Sequence, residues 1–178
     1  MCLCAGGCEM TYQSDPRGWA QPLTPAAMRL PGGLLTGTSV LTADGPLPVE
    51  RIGTGARIVT RSGLAPVIGT VSAPAHRNPL VRIEAGSGLM TQARRDLIVA
   101  AGQFLYLRGR TAFSHTGREE AMVTAGSLAD GISILRCVLP DAQELRLHRL
   151  VFAEPEVIFA EGCELGCAAP QVRRPVYA

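Results

Sequence analysis

The chain has 178 residues, a net charge of +2, 47% hydrophobic residues and only 18% charged ones. That is one domain's worth of chain, with enough apolar matter for a core and too little charge for long disorder. The small net charge gives no reason to invoke nucleic acid or an anionic membrane, and all 17 basic residues are arginine, which excludes a lysine nucleophile, a Schiff base and a Walker-type phosphate loop.

Residues 1–32 read as an irregular arm, punctuated by Pro16, Pro22 and Pro25, with Trp19 and Leu23 available to pin it to a surface. Met1–Met10 carries no basic residue and no apolar stretch of the secretory kind, and no apolar run is long enough to span a bilayer. The chain therefore reads as cytoplasmic, with export by a signal-less route or in a phage-like particle left open. From Leu34 onward short apolar stretches alternate with turn signals. Strands are predicted over Thr38–Thr42, Leu47–Ile52, Arg57–Arg61 and Ala65–Val71, with a turn at Ala43–Pro46 and glycines at 53, 55 and 63 between them. Leu80–Glu84 alternates, placing Leu80 and Arg82 opposite Val81 and Ile83. Further strands are expected at Leu97–Ala100, Phe104–Leu107, Ile132–Leu139, Glu144–Phe152 and Val157–Phe159. The single predicted helix is Arg118–Leu128, with Glu119 and Glu120 in its first turn and Asp130-Gly131 ending it. Many short strands with one short helix argue an all-β sandwich or barrel-like fold.

Three blocks carry a family resemblance. Leu34-Leu35-Thr36-Gly37-Thr38 leads into a strand, a glycine turn, Pro48-Val49-Glu50-Arg51-Ile52 and Gly55-Ala56-Arg57-Ile58-Val59-Thr60. Arg95-Asp96-Leu97-Ile98-Val99 stands in the middle, and Glu156-Val157-Ile158-Phe159-Ala160-Glu161-Gly162 closes the pattern. In this order the blocks resemble the Hedgehog/intein (Hint) domain, in the bacterial subfamily found mainly in alphaproteobacteria. The resemblance covers about 33–167 and leaves 168–178 as a tail. It implies an all-β, pseudo-symmetric horseshoe whose two ends meet near an active site. It also implies a reaction: a cysteine or serine attacks the preceding carbonyl, while a Thr-x-x-His motif polarises the bond and protonates its nitrogen.

The positions matching those reacting groups are degenerate. Gly33 stands at the nucleophile position, Ala100 and Gln103 replace the threonine and histidine of the central motif, and Pro155 stands where a late histidine often occurs. Glutamine orients a carbonyl but delivers no proton near neutral pH. The nearest substitutes are Thr36, Thr38, His148 and Cys163. Turn and strand chemistry is the plain reading of both threonines, and a half-buried strand position that of His148.

Six cysteines are present. Cys137 lies in an apolar run and reads as core. Cys2, Cys4, Cys8, Cys163 and Cys167 form two terminal clusters that could hold zinc if the arm folds back, pair in a disulfide, or remain free thiols. The leading expectation is thus a catalytically inactive structural or protein-binding module, whose partner is another protein or a larger assembly. Its rivals are an autoprocessing domain using non-standard residues and a thiol-rich metal-binding protein. No other cofactor is implied.

Overall fold

The computed structural model describes residues 32–90, 95–139 and 144–167; the predicted arm, with Trp19 and Leu23, and the tail lie outside the described residues. Among the described residues fourteen short strands form two antiparallel sheets. In chain order they are β1 (Leu34–Leu35), β2 (Ser39–Thr42), β3 (Gly45–Pro48), β4 (Arg57–Thr60), β5 (Gly63–Pro66), β6 (Gly69–Pro74), β7 (Leu80–Ile83), β8 (Leu97–Ala100), β9 (Phe104–Arg108), β10 (Glu120–Thr124), β11 (Ile134–Cys137), β12 (Arg146–Val151), β13 (Glu156–Ala160) and β14 (Cys163–Cys167). One α-helix, α1 (Gly109–Thr116), sits between β9 and β10. The smaller sheet runs β11-β7-β8-β1-β12-β6; the larger runs β10-β9-β14-β13-β2-β4-β5, with β3 paired to β2.

Two-residue periodicity explains why β1 lies at the centre of its sheet. Leu34 faces the main core and Leu35 a second, smaller one, so both faces of this strand are covered. The main core joins the two sheets through Val40, Ile58, Val99, Phe152, Ile158 and Leu165. The smaller core packs Leu35, Ala73, Leu80, Ala100 and Leu147. Leu80 and Val81 are likewise buried on opposite faces of β7, one in each core.

Several sequence expectations are corrected. Arg118–Leu128 is not a helix. Residues 120–124 pair with 108–104 as β10, and Ala125–Leu128 forms a 3-10 turn. Pairing on β9 overrides a weak helical preference. The helix instead occupies Gly109–Thr116, where Gly117 at φ 70° supplies the left-handed cap and donates its N–H to the Phe113 carbonyl. The strand predicted over Ala65–Val71 is two strands in different sheets: between them Val67 N–H bonds Ala56 O and Ile68 N–H bonds Val151 O, carrying the chain across. Leu47–Ile52 extends only to Pro48 before a 3-10 turn at Val49–Arg51. The Gly45–Pro46 pair, read as turn, is already strand, and Cys137 is half-buried rather than fully core. No helix among the described residues is long and apolar enough to cross a membrane.

Candidate functional site

The site is built where the described chain enters and leaves the fold. The Gly33 carbonyl accepts the Ala100 N–H at 2.9 Å, which seats the start of β1 against the end of β8. The chain then turns through Ala101-Gly102, and Gln103 N–H closes the turn on Ala100 O at 2.9 Å. β14 ends beside this turn, because Gly166 and Phe104 are register partners. A cavity of about 80 Å³ results, lined by Gly32, Gly102, Gln103, Phe104, Arg149 and Cys167. A shallower groove of about 390 Å³, holding Met122, Pro155 and Val157, shares Phe104, Gly166 and Cys167 with it.

Gln103 is buried, and its amide NH₂ is fully committed. It donates to Gly166 O at 2.9 Å and to Phe104 O at 3.1 Å, tying the β8–β9 turn to the end of β14. Its Oε1 points toward Gly32, where an added Cβ would lie 3.0 Å away. At Gly33 an added Cβ would meet His148 O at 3.2 Å and Leu147 Cβ at 3.4 Å. Ala100 is buried in the smaller core, so the cavity has neither hydroxyl nor imidazole from this turn.

The substitutes lie elsewhere. Thr38 is buried and donates its hydroxyl to Leu35 O at 2.7 Å, a local turn bond. Thr36 and His148 do come together, with Oγ1 and Nε2 3.0 Å apart. The same Oγ1 also receives the Arg146 N–H at 3.2 Å and reaches Arg146 O at 3.1 Å. The Arg146 N–H fills one lone pair of this oxygen, and the hydroxyl proton lies between two acceptors, Arg146 O and, in the tautomer that leaves Nε2 unprotonated, the imidazole. Burial holds the His148 pKa below its ordinary 6.5, against the opposing pull of Glu50.

Cys163 does not reach the cavity. It is buried in the main core, with its sulfur 4.0 Å from Leu89 O, and burial pushes its thiol up to about 12. Cys167 is the thiol at the cavity wall; burial pushes it up to about 12 as well, with Arg149 pulling weakly the other way. Burial also raises the Cys137 thiol. None of these three cysteines is a thiolate at neutral pH, the state that attacks carbon or binds metal. Cys163 and Cys167 sit on one face of a strand about 13 Å apart, too far to grip one ion together. Among the described residues no group of three His, Cys, Asp or Glu side chains is placed to hold a metal; Cys2, Cys4 and Cys8 lie outside them.

Sequence reasoning missed Arg149, Phe104 and Met122. Arg149 adjoins His148 in β12, and strand alternation points it away from the imidazole, into the cavity.

The fold is similar to the crystal structure of the gp41-1 intein, with a TM-score of 0.53 and 13% identity over 75% of this chain and 97% of that one. It is also similar to the solution structure of the bacterial intein-like domain from Clostridium thermocellum, with a TM-score of 0.52 and 13% identity over 75% of this chain and 96% of that one. At this identity the likeness speaks for the fold. Comparison with curated proteins finds no match. Compared with known families, the chain matches the Hint domain over residues 33–171, well over half its length, and it therefore belongs to the Hint domain family.

Proposed function

We propose that this Hint domain no longer cuts its own backbone and serves as a structural or protein-binding module. The observation that carries the reading is the chemistry of the cavity where Gly32, Gln103 and Cys167 meet. Among the described residues it offers a protonated thiol, a committed amide, the Arg149 guanidinium and glycine backbone, but no group poised to attack a carbonyl or protonate a leaving nitrogen. Gly33, Ala100, Gln103 and Pro155 stand at the positions that the family pattern gives to reacting side chains, and their replacement together argues for loss of the reaction rather than its transfer. Twenty glycines and thirteen prolines leave much of the surface as loop, where binding functions reside.

The autoprocessing alternative has one observation in its favour, the Thr36–His148 contact. A hydroxyl engaged by both the N–H and the carbonyl of Arg146 is held in a backbone role, so we favour the non-cutting reading. The test is the intact mass of the purified chain, followed over days with and without dithiothreitol or hydroxylamine. One unchanged mass supports the proposal. Fragments from breakage near 32–33 or after 162 overturn it.

A further inference from the structure

The groove and the cavity are neighbours that share Phe104, Gly166 and Cys167 as walls, and their chemistry differs. In the groove Phe104, Met122, Pro155, Val157 and the Cys167 thiol give an apolar lining. Phe104 and Met122 are each nearly half exposed although nothing in their chemistry favours water. Met122 lies over Gly166, where an added Cβ would stand 2.9 Å from its sulfur, so the glycine is what lets the side chain settle into the floor. The one acid of the groove, Glu156, is hydrogen-bonded to the Ser62 hydroxyl. The guanidinium-bearing Arg149 lines the cavity half-buried. The ion pairs of the described residues use Arg61, Arg82 and Arg108 but not Arg149.

We propose that the groove and the cavity together bind a small amphiphilic carboxylate, such as a medium-chain fatty acid, with its chain in the Phe104–Met122–Val157 groove and its carboxylate on Arg149. A volume of about 390 Å³ falls in the range of roughly 300–1,000 Å³ typical of small-molecule sites. The apolar lining favours a hydrocarbon body, because each methylene taken from water contributes about 0.8 kcal/mol. A partly desolvated arginine with no ion-pair partner among the described residues attracts an anion, and its planar fork matches a carboxylate. A single cation in so narrow a cavity suits a singly charged head better than a phosphate. The site does not depend on whether the chain cuts itself: intact mass tests that reading, and ligand binding tests this one.

The experiment is titration of the full-length protein with octanoate, octanol, octyl phosphate and acetate by calorimetry and ligand-observed NMR. Octanoate is expected to saturate one site, with octanol and octyl phosphate weaker and acetate not bound. Arg149→Gln should weaken octanoate about tenfold or more and leave octanol unchanged. Arg149→Lys keeps the charge without the fork and should fall between. Octanoate binding to the unmodified protein should also fade as pH drops through the range where carboxylic acids protonate, a readout that needs no variant. The proposal is overturned if octanoate does not saturate, as when residues 1–31, 168–178 or a second copy fill the groove. It is equally overturned if octanol or octyl phosphate binds as tightly as octanoate, or if Arg149→Gln leaves octanoate affinity intact.

Discussion

Replacing Gln103 with alanine should destabilise the domain by about 2 kcal/mol, because the amide acts as a tie between two ends of the fold. Its NH₂ serves Gly166 O at 2.9 Å and Phe104 O at 3.1 Å from a residue only 6% exposed. Each such bond contributes about 1 kcal/mol net, and a buried acceptor left unpaired costs about 1–3 kcal/mol. Relief of side-chain ordering returns up to about 1.5 kcal/mol. For a chain of this size about 2 kcal/mol lowers the melting midpoint by roughly 4–8 °C. Gln103→Glu sharpens the test. At neutral pH it sets a carboxylate against two carbonyl oxygens, so its folded-state pKa is raised above the ordinary value. The resulting penalty is full well above that raised pKa and is relieved as pH falls toward the ordinary carboxylate range, where the protonated acid again donates. Urea denaturation at neutral and acidic pH measures both variants. If alanine and glutamate each leave stability within about 0.5 kcal/mol of the parent at neutral pH, the amide is no tie and the account of the site fails.

Three further outcomes follow from the geometry. His148 is held neutral by burial, so the unfolded chain takes up its proton first as pH falls; stability should be intact above about 6.5 and decline below it, and His148→Gln should flatten that decline in denaturation midpoints taken across the range. Gly126→Ala places a Cβ 3.0 Å from Ala101 O and 3.2 Å from its methyl, with backbone on one side that cannot swing away, and should cost about 1–3 kcal/mol by calorimetric scan. Cys163, buried and protonated, should stay unmodified when the native protein is treated with iodoacetamide at mildly alkaline pH, and become labelled in denaturant; peptide mapping reads both states.

The strands were legible where alternation and turn residues agreed, as at Arg57–Thr60, Leu97–Ala100 and Glu156–Ala160. Misreadings came where tertiary pairing decided. Residues 120–124 carry glutamate, alanine and methionine, good helix formers, yet five consecutive register pairs with β9 fix them as strand. The true helix was marked only by Thr116-Gly117, a cap signal that also reads as a turn. A single apolar run from Ala65 hid a crossing between sheets, since local pattern does not say which sheet a strand joins.

The site was legible in part. The Gly33 and Gln103 segments were singled out from the sequence, and the structure brings Gly32 and Gln103 to one cavity. The thiol there is Cys167, because β14 runs from the core at Cys163 to the rim four residues later. Arg149 escaped notice because its neighbour His148 drew the chemical argument, and only strand register shows which of the two faces inward.

Whether this Hint scaffold has given up self-cleavage is read by expressing the chain between two reporter proteins and following the products by mass and gel. One species is expected, the uncut three-part fusion, unchanged by thiol or hydroxylamine. Free reporters, or the two reporters joined without the chain between them, would contradict it.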